Sequence, residues 1–172
     1  MPRDRRPPTP LESAALERLA LRYVERYATT RGRLRDYLNR KLRERGWAGE
    51  GEADVAALAE RMAELHYIDD RGFAESRAAA MGRRGLGARR IALAMHAAGI
   101  AEEDRATLDD EAAEASALAF ARRRRIGPFA RVAMDRDAQA RAFAAMLRAG
   151  HDIDRSRRIL ALTADDLDQN EP

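Results

Sequence analysis

The chain of 172 residues is 45% apolar but only 5% aromatic, so its core is thin and rich in alanine, whether it forms one domain or a few small stacked units. It has no cysteine, which excludes disulfides, thiolate-ligated zinc, iron–sulfur clusters and a cysteine nucleophile. The formal net charge is +3 and the pI near 9.8, set by arginine because Lys41 is the only lysine; such an arginine excess has two readings, genomic base composition or selection for a polyanionic partner.

Alanine, leucine, arginine and glutamate favour helices, while the strand-forming β-branched residues are sparse, so the expected class is all-α. The opening MPRDRRPPTP holds four of the six prolines and no apolar run of signal-peptide type. No later segment approaches the ~18 uninterrupted apolar residues of a membrane span. These features predict a soluble, cytoplasmic protein with no membrane partner and a disordered Pro/Arg-rich tail over residues 1–13.

The first periodic run places Leu16, Leu19, Ala20, Tyr23, Val24 and Tyr27 on one helical face. A second carries Leu34, Tyr37, Leu38 and Leu42 and stops at Gly46, suited to a left-handed cap, with Trp47 packed back onto it. A third has Val55, Leu58, Met62 and Leu65 and ends near Tyr67-Ile68-Asp69-Asp70. The pattern then restarts: a short helix over 73–81, a turn over 82–87, and a helix over 88–95 with Ile91 and Met95 inward, closed by Gly99-Ile100. Residues 101–121 are acidic, alanine-rich and weakly patterned. A further helix over 140–147 turns Phe143, Met146 and Leu147 inward and ends at Gly150-His151.

Three helix ends therefore share one signature: Leu42-x3-Gly46-Trp47, Met95-x3-Gly99-Ile100 and Met146-x3-Gly150-His151, spaced by 53 and then 51 residues. Such a period is the mark of a repeat. Formal charge alternates in step, with residues 1–50, 71–100 and 122–158 summing to +6, +5 and +7 and the segments after them to −5, −6 and −4. The expected organisation is three three-helix repeats, over 14–69, 70–114 and 115–165, stacked into an elongated, curved body and followed by an acidic tail over 166–172.

Catalytic and metal chemistry find little support. Gly82-x-x-Gly85-x-Gly87 lacks the preceding strand and the glycine order of a dinucleotide loop, and three glycines in a turn between helices are explained by positive φ. Asp69-Asp70 directly before a helix suits capping better than metal or acid/base work. His66, His96 and His151 stand alone, without a ligand partner at i+3 or i+4. No nucleophile elbow is present. The chain is read as no enzyme, with no cofactor and no metal.

The densest cationic run, Arg122-Arg123-Arg124-Arg125, and the cluster Arg83-Arg84 with Arg89-Arg90 read in two ways. Each is either a surface for an anionic partner, since guanidinium suits phosphate and carboxylate alike, or a solvated face balanced by neighbouring acids.

The run Tyr67-Ile68-Asp69-Asp70-x-x-Phe73-Ala74, then Arg77, then Gly85-x-Gly87-x-x-Arg90-Ile91-x-x-x-Met95-x-x-x-Gly99-Ile100 resembles the RecX family, and the resemblance spans most of residues 14–162. Leu86 stands where that family commonly has an aromatic and Ala88 where it commonly has a proline; the last repeat matches only through its helix ends. The resemblance implies three tandem three-helix units that bind the RecA recombinase and its nucleoprotein filament as a monomer, restraining its recombinase, ATPase and coprotease activities, with weak DNA-phosphate contacts and no chemistry of their own. It makes Arg77, Arg83, Arg84, Arg89, Arg90 and Arg122 to Arg125 the candidate contacts. The alternative is a stand-alone helical nucleic-acid-binding protein.

Overall fold

In the computed structural model the described residues are 9–163 and 166–167, so the tails expected over 1–13 and 166–172 fall mostly outside them. Every regular element among the described residues is helical: α1 Ser13–Arg26, α2 Arg31–Arg45, α3 Val55–Glu64, α4 Asp70–Arg83, α5 Ala88–Ala97, α6 Asp110–Arg124, α7 Arg136–Ala149 and α8 Ile153–Ala161, with 3-10 turns at Glu102–Asp104 and Gly127–Phe129. The chain is all-α. It divides into two compact units, one of the described residues up to Phe73 with Ala98–Glu102, the other of Ala74–Ala97 with the described residues from Glu103 onward.

In the first unit, Leu16, Ala20 and Val24 of α1 meet Leu34 and Leu38 of α2 and Val55, Leu58, Ala59 and Met62 of α3. Fully burying one such leucine or valine contributes about 1.5–3 kcal/mol. Leu11 joins this core with no exposed surface, and its backbone pairs with the chain beyond α2: Leu11 N–H donates to Gly46 O (2.9 Å) and Ala48 N–H to Leu11 O (2.8 Å). Residues 9–13 are thus ordered, against the expected tail, because an apolar side chain and two backbone hydrogen bonds anchor them. Trp47 packs on the same core and donates its indole N–H to Gly51 O at 3.0 Å.

Two residues depart from their expected face. Tyr27 ends α1 in an extended conformation (φ −131°, ψ 125°), which carries its ring off the core face and leaves it 49% exposed. Leu65, the C-cap of α3, is likewise 57% exposed, and His66 after it takes φ +60°. Gly46 has φ +82° with ψ 173°, a glycine conformation outside the left-handed helical region expected for it.

Asp69 caps α4 by accepting from Gly72 N–H at 2.8 Å, but its neighbour Asp70 serves otherwise. Asp70 is buried, and its carboxylate accepts from the Arg31 backbone N–H (3.0 Å) and from Arg31 Nε (2.9 Å), satisfying the first free amide of α2 and holding a guanidinium at once. Arg31 Nη1 also reaches Glu60 at 2.9 Å, and these carboxylates raise the guanidinium pKa, Asp70 foremost.

In the second unit the expected turn over 82–87 is shorter, because α4 runs on through Arg83. Of the three glycines only Gly85 has positive φ (+73°). Gly82 lies within α4 against Leu108. Gly87 allows a close approach instead: a Cβ there would lie 2.3 Å from the backbone carbon of Gly150. A third helix before residue 114 is replaced by the 3-10 turn Glu102–Asp104 and an irregular stretch up to Asp109, which caps α6 through Ala112 N–H (2.7 Å). The buried stripe of α6 is Ala113, Ser116, Ala117, Phe120 and Ala121, at helical spacing but made of small residues that a search for large apolar ones passes over. It packs with Met146 and Ala149 of α7 and Ile159 of α8.

Gly87→Ala is expected to cost about 2–3 kcal/mol in urea unfolding, since its Cβ meets backbone that has nowhere to go, whereas Gly82→Ala, which gains helix propensity and meets only a leucine side chain, changes stability by less than about 1 kcal/mol. Asp70→Ala is expected to cost about 2–4 kcal/mol, because it strands a partly buried guanidinium and a helix amide; Asp70→Asn keeps an acceptor for that amide and costs roughly half as much.

Candidate partner-binding surface

All nine candidate arginines are exposed: Arg77, Arg83, Arg84, Arg89, Arg90 and Arg122 to Arg125. Among the described residues none of them has a carboxylate within ion-pair distance. The acidic block before Arg122 does not balance the run. Asp110 and Arg124 stand at opposite ends of a helix about 20 Å long, well beyond the screening length of ~8 Å at physiological salt. The acids at the start of α6 are engaged elsewhere: Arg155 contacts Glu114 (3.1 Å), Asp110 (3.2 Å) and Asp152 (2.5 Å), and Arg158 contacts Glu114 at 2.6 Å.

Local structure explains why the chain tolerates these cations. Arg83 and Arg84 lie at the C-terminal end of α4, and Arg122 to Arg124 in the last turn of α6, where the helix dipole favours positive charge. Arg125 caps α6 in the left-handed conformation (φ 55°, ψ 50°), uncommon for a side-chain-bearing residue. Arg89 and Arg90 stand at the unfavourable, positive end of α5. That end, however, abuts the C-terminal carbonyls of α7, with Gly87 N–H donating to Ala149 O (3.0 Å) and Arg89 N–H to Gly150 O (3.1 Å). One helix's negative end thereby offsets the other's positive end.

Five of the nine arginines line two grooves of the second unit. Arg123, Arg124 and Arg125 line one of about 740 Å³ with Arg131, Arg141, Val132 and Met134; Arg89 and Arg90 line another of about 330 Å³ with Arg148, Leu93 and Leu147. Arg90 Nε donates to Arg148 O at 3.0 Å, and Arg123 donates to Arg84 O. Arg122 turns away over the ring of Phe129 (5.0 Å), and Arg77, Arg83 and Arg84 line neither groove. Arg131, Arg141 and Arg148 escaped the sequence reading because they stand singly; their one signal is Arg141 set among Ala138, Ala142 and Ala145 at helical spacing.

Of the motif residues, Ile68, Ile91 and Ile100 are buried core, Phe73 lies half-buried beneath Arg33 (5.1 Å), and Tyr67 is half exposed. Gly99 and Gly150 both take positive φ at their helix ends, +65° and +97°. His151 is buried against Phe120, and because a carbonyl only accepts, its Nε2–H donates to Gly85 O at 3.2 Å, fixing the neutral tautomer. Among the described residues no cluster of three metal-ligating side chains forms, and no helix is long and apolar enough to cross a membrane.

Fold and surface together define a helical protein with exposed arginines that have no carboxylate partner, five of them in arginine-lined grooves. No family model matches the chain. It is 31% identical over 152 residues to the regulatory protein RecX of Agrobacterium fabrum, covering 86% of this chain and 82% of that protein, and 28% identical over 164 residues to the regulatory protein RecX of Myxococcus xanthus, covering 89% and 88%. Its fold is similar to the crystal structure of RecX from Lactobacillus salivarius, with a TM-score of 0.67 at 21% identity over 91% of this chain and 96% of that one. The chain belongs to the RecX family, whose matched members carry the name of regulatory proteins.

His151 gives this unit a pH dependence. Burial lowers its pKa below 6.5, with Arg155 also lowering it and the Gly85 carbonyl and Asp152 opposing. Between the folded pKa and 6.5 the unfolded chain binds more protons than the native one, so stability falls as pH drops through this window. The urea midpoint is expected to be lower at pH 5.5 than at pH 7.5, and His151→Gln to lose most of that difference.

Proposed function

We propose that this protein binds the RecA recombinase on its DNA filament and restrains the filament's recombinase, ATPase and coprotease activities, acting as a monomeric binding protein in the cytoplasm and not as an enzyme. The observation that carries this reading is the set of exposed arginines left without carboxylates in a chain whose half-buried Arg31 and Arg155 are each held by carboxylates. Guanidinium groups with no carboxylate partner can take an external anion, and a filament offers both kinds: carboxylates on its protein surface and phosphates on its DNA. Many modest contacts repeated along successive filament subunits add through multivalency, so no deep pocket is needed. The three-repeat organisation read from the spacing of the helix ends suits such a role, each repeat offering a basic segment.

A stand-alone nucleic-acid-binding reading is favoured by one feature, the groove where Arg123, Arg124, Arg125, Arg131 and Arg141 converge, five cations in one place. Salt separates the two readings. Binding by phosphate contacts alone falls steeply with salt on bare DNA, whereas a filament-directed protein binds the filament far more tightly than DNA at the same salt.

Titrating the protein into RecA hydrolysing ATP on single-stranded DNA is expected to lower the rate. A variant with Arg83, Arg84, Arg89, Arg90 and Arg123 to Arg125 all changed to glutamate should need about tenfold more protein, or greater, for the same effect. Equal inhibition by wild type and variant removes the surface from the mechanism, and no effect of the wild type at any ratio removes the reading itself.

A further inference from the structure

A further groove lies in the first unit, between α1 and α2. It has a volume of about 800 Å³, within the range of ligand sites, and is lined by Arg22, Tyr23, Arg26, Tyr27, Tyr37 and Arg40, with Glu25 its single carboxylate. The rings form a continuous platform: Tyr23 stacks on Tyr37 with centroids 4.3 Å apart and planes 18° apart, and Tyr27 leans on Tyr23 at 5.3 Å. Guanidinium groups flank it, Arg26 at 5.5 Å from the Tyr27 ring and Arg40 at 5.6 Å from that of Tyr37. Arg40 also has a long contact with Glu44 (3.7 Å), whereas Arg22 and Arg26 have no carboxylate partner among the described residues.

Tyr27 stands half exposed at the end of α1, and the core beneath is already filled by Ala20 and Val24, so its ring is free to meet a ligand. Planar rings interleaved with guanidinium groups, two of them without a carboxylate, match one ligand chemistry: bases that stack and phosphates that pair. An acidic peptide would use the cations but has no planar face for the rings. Duplex DNA offers phosphates but keeps its bases stacked inside.

We infer that the α1–α2 groove is a binding site for single-stranded nucleic acid, in which Tyr27 stacks on a base and Arg22, Arg26 and Arg40 hold the flanking phosphates. This site is separate from the arginine grooves of the second unit and needs no recombinase.

Fluorescence anisotropy with a labelled oligothymidylate and the full-length protein alone tests it. Tyr27→Ala is expected to weaken binding about tenfold, the worth of one base–aromatic stack, while Tyr27→Phe, which keeps the ring, retains wild-type affinity. Because Tyr27 lies at the surface, both variants fold, and circular dichroism checks this. An abasic strand of equal length should bind the wild-type protein about as weakly as oligothymidylate binds Tyr27→Ala. Photocross-linking from 5-iodouracil should mark the peptide containing Tyr23 and Tyr27. Unchanged affinity of Tyr27→Ala, equal binding of the abasic strand, cross-links confined to residues 122–148, or displacement from the tyrosines by polyglutamate but not by oligothymidylate would each overturn the assignment. Failure here leaves RecA inhibition by the second unit intact, and the RecA ATPase of Tyr27→Ala run in parallel separates the two.

Discussion

Glycine backbone pressed against glycine backbone joins the end of one helix to the start of another, once in each unit. In the first, a Cβ on Gly32 would lie 2.6 Å from Gly99 Cα; in the second, one on Gly87 would lie 2.3 Å from the Gly150 carbonyl carbon. Both bring the start of a second helix onto the glycine that closes a later one. The free carbonyls of one end find donors at the other, the Thr30 hydroxyl to Ala98 O (2.5 Å) in one unit and Gly87 N–H to Ala149 O in the other. No larger residue permits that approach. With few aromatics and much alanine, the fold depends on closeness more than on volume, because dispersion falls away over fractions of an ångström.

The helix-end junction also sorts the charges. Where a helix start faces into the fold, its arginine is met by acids: Arg31 by Asp70 and Glu60. Arg155 is held inside the second unit in the same way, by Asp110, Glu114 and Asp152. Where the helix ends face solvent, at Arg83–Arg84 and Arg122–Arg125, no acid follows. Pairing does not follow exposure throughout, since exposed Arg40, Arg61 and Arg158 also meet carboxylates; what sets Arg83–Arg84 and Arg122–Arg125 apart is that several neighbouring cations at one helix end share no acid.

The elements were legible where large apolar residues and terminal glycines carry the signal, as in α2, α5 and the ends at Gly46, Gly99 and Gly150. They were not legible where the core is made of small residues. The α6 stripe of Ala113, Ser116, Ala117 and Ala121 reads as surface to any scale that ranks alanine low, although Ser116 is buried with its hydroxyl donated to Leu86 O. Long-range pairs leave no local trace either: Arg31 and Asp70 are 39 positions apart, and nothing near Asp70 distinguishes a buried ion-pair carboxylate from the cap beside it. The arginine candidates were visible as runs, but the residues completing their grooves, Arg131, Arg141 and Arg148, were not, because a groove forms from helices distant in sequence.

Tyr27 shows how a correct period still misplaces a residue. Its position, seven after Ala20 and three after Val24, puts it on the core face of an unbroken helix. The helix stops one residue short, the backbone turns extended, and the ring leaves the core for the groove beside Arg26. The termination is itself dictated downstream: Thr29 and Thr30 are buried, and Thr30 must reach Ala98 O while capping α2 through Arg33 N–H, which leaves too little chain for another turn of α1. The same junction that lets α2 begin against Gly99 therefore exposes Tyr27, and the tyrosine platform of the first unit is a consequence of how its helices are joined.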